Sequence, residues 1–247
     1  MALTAAAAGL AGCMSQQLDQ SQVAAPTGSR PPSGVLVPEQ TTLGGARRAE
    51  YRSTSDETRM VIRREEVAMG KDWTVTRSEV QGIGEAVVGS ELVFRIDGGD
   101  QVLVQTTEHA DEVVTEMKPP MLVFPARLEA GKPEKREFRM IVHPAGNPNV
   151  VKNEGPASNE LVYEADETLA VPVGTFETRK VRSTLRAELG KAKVENVTES
   201  WYAPPPGPGL VAERERQRVT VFGVPVRVSD RMWVLEKWES AATAPKR

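Results

Sequence analysis

Apolar and polar side chains alternate along most of the chain between residues 46 and 240, with a period of two. In the stretch 71–80, for example, Trp73 and Val75 alternate with polar residues. This period is typical of half-buried β-strands, whereas an amphipathic helix would repeat every 3.6 residues. Similar runs cover 57–67, 113–117, 136–143, 160–171, 176–187, 193–201, 214–221 and 231–238. The pattern predicts a mainly β protein of about ten to twelve strands.

Short turns separate these runs, which favours antiparallel pairing. Asp97-Gly98-Gly99-Asp100 is the clearest hairpin signal, because glycines supply the positive φ values of a tight turn. A Pro-, Gly- and Asn-rich stretch at 143–159 is either a domain linker or a long surface loop. Each half alone would be a marginal open sheet. We therefore predict one β domain over 46–240, built as a single curved antiparallel sheet or half-barrel.

Two strands carry alternating charges, at 179–186 and at 213–218. Such charges predict solvent-exposed faces with cross-strand ion pairs, and they discourage aggregation between sheet edges.

The chain opens with small apolar residues that end in Leu10-Ala11-Gly12-Cys13, the site of its only cysteine. This segment resembles the lipobox of bacterial lipoproteins, in which the cysteine thiol receives a diacylglyceryl group and a peptidase cuts before it. The resemblance implies a signal peptide over 1–12 and lipid attachment at Cys13. Because secretory signals begin with basic residues and none precedes this run, we expect the translation start to lie upstream of Met1.

Residues 13–45 are rich in Gln, Ser, Pro and Gly and predict a disordered linker with a reach of about 30 Å. One acyl chain binds membranes only marginally, so stable attachment needs the two or three chains, palmitate among them, that the lipoprotein resemblance implies. Met14 stands where inner-membrane lipoproteins of proteobacteria carry Asp. The resemblance therefore implies an outer-membrane anchor, with the protein facing the periplasm. Residues 241–247 predict a disordered tail.

Two motifs in the second half carry another resemblance. Residues 171–176 read Val-Pro-Val-Gly-Thr-Phe, and residues 201–211 begin Trp-Tyr-Ala-Pro and end Gly-Leu-Val. They resemble the VPxGTF and WYxPGxGLV motifs of uncharacterised bacterial envelope domains, apart from the inserted Pro205 and Pro206. The resemblance implies a highly curved half-barrel, related in shape to the Lol-type carriers that hold acyl chains in a concavity.

The first of these motifs also has a direct physical reading. Pro172 cannot donate to a β-ladder and Gly174 permits a bulge, so the strand should break and bend there. We expect a structural corner formed by Pro172, Gly174, Phe176 and Trp201.

Composition excludes several functional classes. With 31 basic and 34 acidic residues the formal net charge is -3, which argues against a nucleic-acid partner. A single cysteine excludes an internal disulfide framework and a multi-cysteine zinc site. The only histidines are His109, in an acidic turn, and His143, at a strand end, and neither predicts a metal site. No motif predicts a catalytic site or a bound cofactor.

These observations favour a lipid-anchored envelope protein with a non-enzymatic structural or binding role. Its partners would be the membrane, through the acyl chains, and a hydrophobic ligand or an envelope protein. One alternative is a carrier of a hydrophobic ligand or lipid in the half-barrel concavity. The other is an envelope hydrolase, which would need His109 or His143 beside a carboxylate in a pocket.

Overall fold

The computed structural model describes residues 26–38, 46–55, 58–66, 72–81 and 87–240. These residues form fifteen β-strands. The strands are β1 (Thr27–Arg30), β2 (Val35–Leu36), β3 (Ala46–Ser53), β4 (Thr58–Glu66), β5 (Asp72–Gln81), β6 (Val87–Asp97), β7 (Asp100–Glu108), β8 (Val113–Phe124), β9 (Leu128–Glu129), β10 (Glu134–Pro144), β11 (Asn153–Val171), β12 (Gly174–Leu189), β13 (Ala192–Ala203), β14 (Gly209–Val221) and β15 (Val224–Ser240). Within the described ranges, no helix has the length and apolarity needed to span a membrane.

Twelve of the strands form a closed antiparallel ring. Pairing follows chain order from β3 to β8, continues from β8 to β10 because β9 lies outside the ring, and then runs on to β15. β15 pairs with β3, where Trp238 lies opposite Ala49, so the first and last strands of the ring close it. The prediction of a mainly β fold with one curved antiparallel sheet of ten to twelve strands is confirmed. The sheet also closes on itself, whereas an open half-barrel would keep two free edges.

The turns predicted from the sequence connect neighbouring strands. Asp97 pairs with Asp100 across Gly98 and Gly99, and both glycines have positive φ. Most of the stretch 143–159 is strand, because β10 and β11 extend into it and pair with each other. It is therefore a hairpin connection within one sheet.

Alternation along the strands separates an apolar face from a charged one. Residues opposite each other in neighbouring strands share a face, as Leu235, Tyr51 and Met60 do, and all three are buried. On the other face Arg214 Nη2 lies 2.7 Å from a carboxylate oxygen of Asp230. Such cross-strand ion pairs were expected from the charged runs in the sequence.

Part of the segment predicted as a disordered linker is ordered, which corrects that prediction for residues 27–36. β1 pairs with β11, with Thr27 opposite Thr168, and β2 pairs with β9. Leu36 is completely buried, and Ser33 Oγ donates to Asp166 Oδ2 over 2.8 Å. The physical reason is tertiary, because β10 pairs only with the first half of β11 and leaves backbone groups of the second half to β1.

The predicted corner is the turn between β11 and β12. Pro172 and Val173 form the turn, and Gly174 opens β12 with a φ of 142°. The chain therefore breaks where expected but reverses as a hairpin, where the sequence predicted a bend within one strand. Trp201 is buried in the main apolar cluster, and Phe176 packs against that cluster.

Candidate functional site

A partly open cavity of about 170 Å³ lies on the inner face of the barrel. A ring of twelve strands surrounds a wider lumen than the eight-stranded barrels that side chains just fill. One side of the cavity is apolar and comes from β4 to β8, with Ile62, Val75, Leu92, Phe94, Leu103 and Met121. Its polar groups come from β5 and from β11 to β14, with Arg77, Asn159, Ser183, Thr198, Ser200 and Glu213. An engineered apolar cavity of about 150 Å³ holds benzene, so this cavity has the size of one small ring.

Arg77 and Glu213 form an ion pair in the wall of the cavity. Arg77 Nη1 lies 3.3 Å from Glu213 Oε1 and donates to it. The side chain of Glu213 is 8% exposed, whereas that of Arg77 is 32% exposed. The charge of Glu213 raises the pKa of Arg77 against the opposing effect of burial, and Glu215 acts in the same direction. The guanidinium therefore stays charged, although its Nε is buried without a hydrogen-bond partner among the described residues.

Hydrogen bonds to backbone carbonyls hold this part of the barrel in place. Tyr51 is completely buried, and its hydroxyl donates to the carbonyl oxygen of Leu210 over 3.0 Å. Burial raises the pKa of Tyr51, which keeps the hydroxyl protonated. Asn159 Nδ2 donates to the carbonyl oxygen of Leu122, and Asn159 Oδ1 accepts from Ser183 Oγ, both over 2.8 Å. These bonds fix the orientation of the three polar side chains.

A second carboxylate shares the face of Arg77. Ser90 lies opposite both Arg77 and Glu108 in the neighbouring ladders, so the three side chains point the same way. Burial raises the pKa of Glu108, and the charge of Arg77 lowers it in part. Charged groups therefore continue along this face towards the turn between β7 and β8.

A second pocket, of about 590 Å³, lies along β10 to β14. Arg186 pairs with Glu195 over 3.0 Å and Lys193 with Glu188 over 2.9 Å. These four residues lie on the face opposite the core residue Ala187, because neighbouring positions of a strand point to opposite faces. Their charges balance one another, so the pocket has no excess of either sign from these pairs.

The predicted corner residue Trp201 makes a buried polar contact. Its Nε1 donates to Glu167 Oε2 over 2.6 Å, and Ser29 Oγ donates to the other oxygen of that carboxylate over 3.3 Å. Lys180 Nζ lies 5.4 Å from the centroid of the Trp201 ring. These contacts join β1, β11, β12 and β13, and none of the residues lines the interior cavity.

The histidines lie away from both cavities. His109 is exposed in the turn between β7 and β8, with its Nε2 3.5 Å from Glu91 Oε1. His143 is buried, with its Nδ1 3.1 Å from the carbonyl oxygen of Val150. Among the described residues, no group of three or more His, Cys, Asp and Glu side chains is arranged to hold a metal ion.

Sequence reasoning missed Arg77 and Glu213 as parts of a site. The charged run at 213–218 predicts a solvent-exposed face, and this is wrong for Glu213, which is buried on the core face. Two signals were available in the sequence. Arg77 has the same strand parity as Val75, and Glu213 directly follows the apolar run 210–212.

The predicted signal peptide at 1–12, the lipid attachment at Cys13 and the tail at 241–247 lie outside the described residues. A comparison of the chain with known protein families, curated proteins and solved structures found no match. The lipoprotein resemblance and the envelope-domain resemblance therefore both stay predictions.

Proposed function

We propose that this chain is a lipid-anchored cell-envelope protein whose β-barrel binds a small molecule and has no catalytic role of its own. The observation that carries the binding role is the interior cavity, which has an apolar wall from β4 to β8, a wall of mixed polar and apolar residues from β11 to β14, and a largely buried ion pair. The ion pairs on the opposite face of the sheet support a barrel surrounded by water. An acyl anchor at Cys13 would then supply the attachment to the membrane.

The volume of the cavity favours a ring-sized ligand over a lipid. Pockets for drug-sized ligands usually measure about 300–1,000 Å³, and this cavity measures about 170 Å³. An acyl chain needs a longer and wholly apolar space, whereas six of the eighteen residues that line this cavity are polar. The carrier of acyl chains considered from the sequence is therefore less well supported. A hydrolase has less support still, because neither histidine lines a cavity.

The binding role is tested by filling the cavity. Leu92→Phe adds volume to the apolar wall, and Ile96→Phe makes a similar change on the same strand at a position 41% exposed and outside the cavity. We expect ring-sized compounds to shift backbone NMR signals of cavity residues in the wild-type protein and in Ile96→Phe. Leu92→Phe should lose these shifts. Binding that is unaffected by Leu92→Phe would place the ligand elsewhere and contradict the proposal.

The anchor is tested by the intact mass of the protein from a membrane fraction of its native host. We expect a mature chain that begins at Cys13 and carries the mass of two or three acyl chains. A Cys13→Ala variant should be neither cleaved nor acylated and should leave the membrane fraction. An unmodified wild-type chain in the soluble fraction would disprove the anchor and leave the binding role untouched.

A further inference from the structure

The polar groups in the cavity wall indicate the chemical class of the ligand. Arg77 carries only donors and the Glu213 carboxylate only acceptors, and their single described contact spans 3.3 Å. A bidentate pair would use two parallel hydrogen bonds. Both groups line the cavity. The wall therefore presents one donor group and one acceptor group side by side.

The charges of this pair disfavour an ionic ligand. A carboxylate that approached Arg77 would also approach the negative charge of Glu213, and an ammonium or amidinium group that approached Glu213 would meet the charge of Arg77. A neutral group that accepts and donates can bind both partners at once. A primary carboxamide is such a group, because its carbonyl oxygen accepts and its NH₂ donates.

The rest of the wall limits the body of the ligand. Phe94, Leu92 and Leu103 offer an apolar surface, and the hydroxyl groups of Thr198 and Ser200 lie on the polar side. Hydroxyl groups donate or accept according to need, so they tolerate either orientation of an amide. The size of the cavity allows about one ring.

We propose that the cavity binds a neutral, ring-sized molecule with a carboxamide-like group, whose carbonyl accepts from Arg77 and whose NH₂ donates to Glu213. This inference rests on the proposed binding role and adds the class of ligand to it. Sites built to hydrogen-bond a polar group reject analogues that lack it, because their own polar groups are then left unpaired.

Four compounds that share a benzene ring and differ in its one substituent test the inference in the wild-type protein. They are benzamide, benzoate, benzamidine and toluene. NMR titration should give benzamide an affinity at least roughly tenfold higher than that of each other compound, which corresponds to one lost hydrogen bond to a charged group. Tightest binding of benzoate or benzamidine, or equal binding of toluene, would overturn the carboxamide class while the binding role stands. If none of the four compounds binds, both proposals are contradicted. The cavity would then hold only water.

A variant of Glu213, the acceptor of the pair, provides an independent test. Glu213→Gln keeps an acceptor oxygen, adds a donor and removes the negative charge, so the preference for benzamide over benzoate should shrink or reverse. Glu154→Gln makes the same change in an exposed ion pair with Arg139 and should keep the wild-type preference. An unchanged preference in Glu213→Gln would mean that Glu213 does not touch the ligand. If that variant fails to fold, the four-compound series in the wild-type protein decides alone.

Discussion

Removing one member of the interior ion pair should destabilise the barrel more than removing both. Glu213→Leu leaves the Arg77 guanidinium in the cavity wall without its carboxylate. Breaking a buried ion pair in this way costs about 3–5 kcal/mol. Because 32% of the Arg77 side chain is accessible, water in the cavity offsets part of this cost, and we expect about 2–3 kcal/mol. Arg77→Met leaves the more deeply buried Glu213 alone and should cost at least as much.

The double variant Arg77→Met/Glu213→Leu replaces the pair by apolar side chains of similar length. Such replacements are often neutral or stabilising, so we expect a free energy of unfolding within about 1 kcal/mol of wild type. Urea unfolding, followed by tryptophan fluorescence and by circular dichroism, measures all three variants. Glu154→Leu, in an exposed pair, should leave the midpoint unchanged. A double variant that loses the full sum of the two single losses would refute the reasoning, because the two charges would then not be coupled.

Three further predictions concern other parts of the barrel. Trp201→Phe removes the hydrogen bond to the buried carboxylate of Glu167 and should lower the free energy of unfolding by about 1.5–3 kcal/mol in urea titrations; no loss would mean that the carboxylate finds another partner. Burial raises the pKa of Tyr163 to about 12, so the protonated hydroxyl stabilises the fold below pH 10 and this stabilisation is lost as the pH rises towards 12. The free energy of unfolding of the wild-type protein should therefore fall more steeply over this range than that of Tyr163→Phe. Equal slopes would argue against the shift. A Cβ at Gly155 would lie 1.7 Å from a backbone oxygen of β12, so Gly155→Ala should lower the free energy of unfolding by about 1–3 kcal/mol or more. A Cβ at Gly146 meets nothing within 4 Å, so Gly146→Ala should be tolerated. Equal thermal midpoints of the two variants would contradict this expectation.

Much of the fold could be predicted from the period-two pattern. The turn at Gly98 and Gly99 and the break at Pro172 lie where the sequence indicates, because glycine and proline act locally on the backbone. Ring closure could not be predicted, since it depends on the twist summed over twelve strands and on the long-range pairing of β3 with β15. The pairing of β1 with β11 could not be predicted from the sequence either. A polar segment of four residues becomes a strand there only because a partner edge is present.

The candidate site was harder to predict than the fold. A charged run such as 213–218 indicates a solvent-exposed face, yet alternation sends every second residue of the run to the other face. Glu213 then accepts a hydrogen bond from Arg77, which lies 136 positions earlier in the chain. No local rule pairs two such residues. The proposed lipid anchor, by contrast, depends on a local motif around Cys13, so it could be formulated from the sequence alone.

The pairing of β3 with β15 has a consequence for how the molecule is made. Most neighbouring strands of the ring are also neighbours in the chain, but one edge of its first strand, β3, pairs only with the last strand, β15, which is seventeen residues long. Contacts between strands so distant in the chain make closure a slow step of folding. Until β15 has been synthesised, this edge of β3 lacks its partner and offers other chains a template for pairing. The pairing with β15 therefore also protects the edge of β3 against association with other chains.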